Sequence, residues 1–144
     1  MADDPTVKFG FVCVQNAGRS QMSTAFAERE RERRELEDSV EIITGGTHPA
    51  DSVHEEVVTV MNERDIDLSD RTPREVSTAE LESCDVVATM GCSTLELDAE
   101  DIDVRDWALD DPDGQDLDQV RTIRDDIEQR VTDLFDEIES EVAQ

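Results

Sequence analysis

A chain of 144 residues, 36% of them hydrophobic, is long enough for one domain with a core of its own and does not depend on disulfides or metals to fold. Its 39 Asp and Glu against 13 Lys and Arg give a formal net charge of -26, which repels nucleic acid and anionic membrane surfaces at long range. High net charge with low hydrophobicity also marks disordered chains, but here the apolar residues are grouped into periodic segments, which predicts folding.

In chain order, Val7 to Val14 is nearly all apolar, as expected of a strand buried on both faces of a parallel sheet. A helix is predicted from about Ser20, with Met22, Ala25 and Phe26 on one face and a charged, solvated continuation in ERERERREL. Val40 to Thr44 reads as a second strand, closed by the flexible pair Gly45 and Gly46. Val53, Val57, Val60 and Met61 recur at helical spacing, with Asp51 or Ser52 as a cap. IDLSDRTPREVS is loop-like, and a short helix is possible from Ser77 to Glu82. Asp85 to Met90 is another buried-strand candidate, and Val104 to Leu109 a fourth. DDPDG, residues 110 to 114, is a strong loop signal. An apolar stripe from Leu117 to Ile138 predicts one long terminal helix, its acidic opposite face solvated. The alternation predicts a single α/β domain over residues 1–144: a four-stranded parallel sheet with helices on both faces, in a Rossmann-like three-layer arrangement. In such sheets ligands collect at the carboxyl ends of the strands.

Lys8 is the single lysine against twelve arginines. A lysine-poor, acidic coat is expected of a protein adapted to high salt, where a shortened Debye length screens self-repulsion. The three cysteines, Cys13, Cys84 and Cys92, make no disulfide framework, and with no secretory leader pattern they predict a reducing, cytoplasmic setting. No stretch approaches the ~18 apolar residues that span a bilayer, so no membrane partner is expected.

VCVQNAGRS, residues 12 to 20, carries the chemistry. A lone C-x5-R match is weak, but here the cysteine ends a buried strand and the arginine starts a helix. A loop of that length, Val14, Gln15, Asn16, Ala17 and Gly18, can turn successive backbone N–H groups inward as an anion nest, with the positive end of the helix behind it. Arg19 adds a fork of donors for two oxygens of a tetrahedral oxyanion. The same field favours the thiolate of Cys13, the nucleophilic form. Ser20 can donate its hydroxyl to that sulfur, and Asn16 can brace the loop. The bland alternative is an inert buried cysteine beside a solvated arginine. His48 and His54 lack metal-ligand partners at suitable spacing, so no metal site is expected. Trp107 either walls the pocket or sits in the core.

CVQNAGRS followed by QM resembles the active-site loop of the low-molecular-weight protein tyrosine phosphatase superfamily, in particular its arsenate reductase branch. TGGTHPADSV, VMNERDIDLSDRTP, DVVATMGC and DWALDDPDG continue the resemblance in order over nearly the whole chain. It implies nucleophilic attack by Cys13 on phosphorus or arsenic, with Arg19, Ser20 and the loop amides binding the oxyanion. It also implies a general acid before a proline, which maps to Asp111, with Asp110 as its rival. Hydrolysis needs nothing more, whereas reduction needs another thiol. Cys92 is the candidate, emerging after the strand 85–90 at the same edge as Cys13. Cys84 precedes that strand, about 20 Å from Cys92 at ~3.3 Å per residue, and reads as structural. The thioredoxin-coupled reductases carry a further cysteine in a segment like TMGCGDAC, where this chain has TMGCSTLELD. Either Cys92 closes a disulfide with Cys13 that an external reductant opens, or a small thiol attacks the adduct directly. The implied activity is arsenate reduction with no bound cofactor and an external thiol reductant: thioredoxin, glutaredoxin or a small thiol. The alternatives are a phosphatase acting on phosphotyrosine or small phosphate esters, with Cys92 idle, and a non-enzymatic oxyanion- or phosphopeptide-binding protein.

Overall fold

A computed structural model describes residues 7–13, 16, 18–37, 39–46, 49–90, 103–107 and 115–142. Four strands, β1 (Val7–Cys13), β2 (Val40–Gly46), β3 (Val86–Met90) and β4 (Asp103–Asp106), form one sheet in the order β2-β1-β3-β4, every pair parallel. The helices are α1 (Arg19–Arg33), α2 (Glu55–Asn62), α3 (Thr78–Glu82) and α4 (Leu117–Val142). The α/β fold expected from the alternation of elements is the fold found. Because the chain steps from β1 outward to β2 and then back across β1 to β3, the strand order reverses at β1. Its carboxyl end is therefore the switch point at which such sheets open a binding crevice.

Side-chain alternation along β1 builds two cores. Phe9, Phe11 and Cys13 point into the larger one, with Met22 and Phe26 of α1, Val57 and Met61 of α2, and Ile127, Val131 and Phe135 of α4. Val12 points the other way, into a smaller core with Val76, Leu81, Cys84 and Val87 under α3. Gly10 belongs to that second face: a Cβ there would lie 3.0 Å from Leu81 Cδ2 and 3.1 Å from Cys84 Sγ. The helices cover both faces, three on one side and the five-residue α3 on the other. Ser77 caps α3, accepting from the Glu80 amide while the Glu80 carboxylate accepts from the Ser77 amide, a reciprocal box that starts a helix too short to nucleate on propensity alone.

Several expectations change in detail. β2 runs through Gly45 and Gly46 instead of stopping at Thr44, because they pair with Val12 and Cys13 of β1, and a parallel bridge also joins Gly46 to Glu75. The α2 cap falls on His54, whose carbonyl accepts from the Val57 and Val58 amides at 3.0 Å each, so Asp51 and Ser52 stand outside the helix. The charged continuation of α1 is not simply solvated. Glu30 is buried among Arg29, Arg33 and Arg34, and Arg29 and Arg34 reach across to Glu128 and Asp136 of α4. The face of α4 opposite its apolar stripe is likewise partly engaged in ion pairs. Trp107 is a core residue, its ring 6.0 Å from that of Phe11. Among the described residues no helix is long and apolar enough to cross a membrane.

Candidate active site

Cys13 is the last residue of β1, opposite Gly46 of β2 and Met90 of β3 in register, and only 2% exposed. Arg19 begins α1 six residues later, so the positive end of that helix faces the strand terminus. The first two and a half turns of α1 are buried on every side, polar residues included. Ser23 and Thr24 answer that burial by donating to the Arg19 and Ser20 carbonyls of their own helix.

Two donors converge on the Cys13 sulfur. The Asn16 amide N–H donates to Sγ at 3.2 Å, and Ser20 Oγ lies 2.9 Å from it. The direction of the second bond follows from the atoms around Ser20. Its oxygen already accepts from Asn16 Nδ2 at 2.7 Å, which leaves its own hydrogen for the sulfur. Both contacts point donors at the atom that would carry the nucleophilic electron pair.

Asn16 is the hub of the arrangement. It is fully buried and sits in the left-handed region with φ 51°, which an asparagine tolerates better than most residues. Besides Ser20, its amide nitrogen donates to Thr44 Oγ1 at 3.0 Å, and that hydroxyl donates onward to the Phe11 carbonyl at 3.1 Å. Its Oδ1 accepts from Gln21 Nε2 at 3.1 Å and from the Arg74 backbone N–H at 3.0 Å. Every side-chain hydrogen-bonding position of Asn16 is filled, so the strained residue is fixed from four sides. Ser23 Oγ also lies 3.4 Å from Met90 Sδ, where α1 meets the end of β3.

Of the residues expected from sequence, Cys13, Asn16 and Ser20 are joined by hydrogen bonds here, and Gly18 and Arg19 stand at the start of α1. Val14, Gln15, Ala17, Cys92, Asp110, Asp111 and His48 lie outside the described residues. Thr44, Gln21 and the Arg74 amide were not anticipated. They reach Asn16 through the β1–β2 register, a turn of helix and a distant loop, and of the three only Gln21 lies close to the motif in sequence. Cys84 stands apart, at the far end of the sheet, where the following Asp85 amide donates to the Lys8 carbonyl. Burial pushes its thiol up to about 11, as expected of a structural cysteine. Among the described residues no cluster of three or more His, Cys, Asp or Glu could hold a metal ion.

This architecture is shared with known proteins. The chain is 84% identical over 137 residues, 95% of its length and 96% of the relative's, to a Halobacterium salinarum protein named "Putative arsenate reductase". It is 33% identical over 135 residues, 91% of its length and 98% of the relative's, to the glutaredoxin arsenate reductase of a Synechocystis species. Among solved structures it superposes on a thioredoxin-dependent arsenate reductase of Corynebacterium glutamicum with TM-score 0.79 and 29% identity, covering 96% of this chain and 65% of that longer one. The model of the family described as low molecular weight phosphotyrosine protein phosphatase matches residues 8–144. The chain belongs to the low molecular weight phosphotyrosine protein phosphatase family.

Proposed function

We infer that this protein is an arsenate reductase of that family, with Cys13 as its nucleophile. The observation that carries the nucleophile is the pair of donors on the Cys13 sulfur, one from Ser20 and one from the Asn16 amide, at the positive end of α1. Similarity to proteins named as arsenate reductases, over nearly the full chain, supports the reaction.

Arsenate enters as a tetrahedral oxyanion, its equatorial oxygens received by Arg19, Ser20 and the amides of residues 14–18. The Cys13 thiolate forms a sulfur–arsenic bond as one arsenic–oxygen bond breaks. Asp111 gives its proton to the departing oxygen, which leaves as water. A second thiolate then attacks the Cys13 sulfur. A disulfide forms, the sulfur–arsenic electron pair leaves with arsenic, and As(V) becomes As(III) in the released arsenite. Cys92, two residues beyond Met90, is the proposed second thiol. An external thiol reductant reopens the disulfide, and it is either a thioredoxin- or glutaredoxin-like protein or a small thiol.

Turnover of the purified protein in concentrated salt tests this reading, with arsenate plus each class of reductant and separately with an aryl phosphate. Hydrolysis of the phosphate ester without arsenate reduction under any reductant would replace it with a phosphatase. Cys13→Ser is expected to abolish both activities. Cys92→Ser is expected to abolish reduction and spare hydrolysis, whereas an unchanged reduction rate would assign the second attack to a small thiol.

A further inference from the structure

Residues 73–76 cross the end of β2 as a strap. Arg74 O accepts from the Gly46 amide at 2.9 Å, and the Val76 amide donates to Gly46 O at 3.3 Å. The strap lies so close that a Cβ on Gly45 would fall 2.4 Å from Val76 Cβ, so glycine is required there for close approach. What the strap delivers to the site is one hydrogen bond, from the Arg74 amide to Asn16 Oδ1. Beside those backbone bonds, the Arg74 side chain ties the strap to its neighbours. Its Nη1 donates to the Thr44 carbonyl at 2.9 Å and its Nη2 to Glu80 Oε2 at 2.8 Å, so the guanidinium spans β2 and α3. The same contact is the main reason the Glu80 carboxyl lies below its usual range.

We propose that Arg74 is a positioning residue for the Cys13 chemistry: its guanidinium, clamped between Thr44 and Glu80, seats the strap whose backbone N–H fixes Asn16. Asn16 in turn orients both donors to the sulfur, its own amide and, through its side chain, the Ser20 hydroxyl. Arg74 acts at a distance, with its charge already committed to Glu80. A planar fork can bond two acceptors at once from one side chain, which a lysine cannot reproduce with the same geometry. Loss of the clamp leaves the fold intact, because the ion pair is exposed at both ends, 48% and 38%, and exposed pairs contribute little to stability. It loosens the orientation of the nucleophile, to which rates are far more sensitive.

The proposal rests on Cys13 being the reactive thiol. The test compares the parent, Arg74→Ala, Arg74→Lys, Asn16→Ala and the Arg74→Ala/Asn16→Ala double variant in concentrated salt. Arsenate or aryl phosphate turnover is measured together with the rate of Cys13 alkylation by iodoacetamide, resolved from the other cysteines by peptide mass. For Arg74→Ala we expect kcat and the Cys13 alkylation rate to fall by about tenfold, with KM changed by less than about twofold. Arg74→Lys should recover part of the loss. In the Asn16→Ala background the Arg74 change should cost less than about twofold, because its target is gone. An equal loss in both backgrounds would overturn the proposal, as would a rise in KM with kcat unchanged, which would make Arg74 a direct anion contact. Alkylation and turnover within about twofold of the parent would also overturn it. If the parent turns over neither substrate, the proposed function fails, and the alkylation comparison still decides the role of Arg74.

Discussion

At the scale of single residues the candidate site depends on hydrogen bonds whose direction can be traced from donor to acceptor. Asn16 donates to Ser20, and Ser20 is left to donate to Cys13. A hydrogen bond to a charged acceptor is worth about 1.5–3 kcal/mol. Ser20→Ala is therefore expected to lower kcat by roughly ten- to a hundredfold, with a smaller change in KM, measured as turnover at saturating substrate. The contrast within the chain is Cys84, buried beneath α3 with its thiol pushed up to about 11. Brief alkylation of the native protein near pH 8 should spare Cys84, since only the thiolate reacts. Rapid labelling of Cys84 in the folded protein would contradict its structural role. Cys13, Asn16, Gly18, Arg19 and Ser20 were all legible in sequence because they lie in one loop and one helical turn. Thr44 and Arg74 were not, because what brings them to Asn16 is the pairing of Phe11 with Thr44 and the docking of a loop 58 residues away from Asn16.

Among the elements, β1 does most to place the site, and it does so by alternation. Phe9 and Phe11 anchor it in the larger core, with Phe9 5.5 Å from the Phe135 ring of α4. Phe135→Ala is expected to destabilise the fold by about 3–5 kcal/mol, the range for emptying a fully buried aromatic position, read as a lowered denaturation midpoint. Gly10→Ala works on the opposite face. The added methyl meets Leu81 and Cys84 at 3.0 and 3.1 Å, so those side chains must give way, at an expected cost of about 1–3 kcal/mol. A neutral or stabilising result would mean that α3 yields freely. Sequence periodicity located the eight elements of the described residues to within a few residues, since buried strands and amphipathic helices carry their period with them. It misjudged Gly45 and Gly46, whose composition suggests a flexible stop. Gly45 is needed for a steric reason, to let Val76 approach, and that reason exists only once the strap is in place.

For the molecule as a whole the governing term is charge. With a net charge of -26, self-repulsion opposes the compact state, while arginines stitch the helices together. Arg29 and Arg34 join α1 to α4, and Arg121 and Arg124 of α4 grip Glu63 at the end of α2. Added salt weakens the exposed pairs and screens the repulsion together. Because the unpaired acidic charge is much the larger quantity, the melting temperature should rise as potassium chloride goes from about 0.1 to 2 M, where the Debye length drops below about 3 Å. A melting temperature that fell with salt would mean that the ion pairs outweigh the repulsion. The acid limb should report Glu63. Its carboxyl is lowered from 4.5 to about 2, first by the hydrogen bond from Arg121 and then by that from Arg124. A depressed carboxylate contributes stability that is fully present above its unfolded value and lost as pH falls through the folded one. Part of the stability should therefore disappear between about pH 4.5 and 2, and Glu63→Gln should flatten that limb in an acid titration followed by circular dichroism.

The sequence by itself determined the order of strands and helices, the parallel sheet they imply and the loop from Cys13 to Ser20, because each is written in local periodicity or contiguous residues. Only the tertiary structure decided which atoms fill the hydrogen-bonding positions of Asn16, why Gly45 is required, and that Arg29 and Arg34 reach from α1 to α4. Those depend on contacts between segments far apart in the chain, whose geometry is set by packing and register, not by the residues on either side.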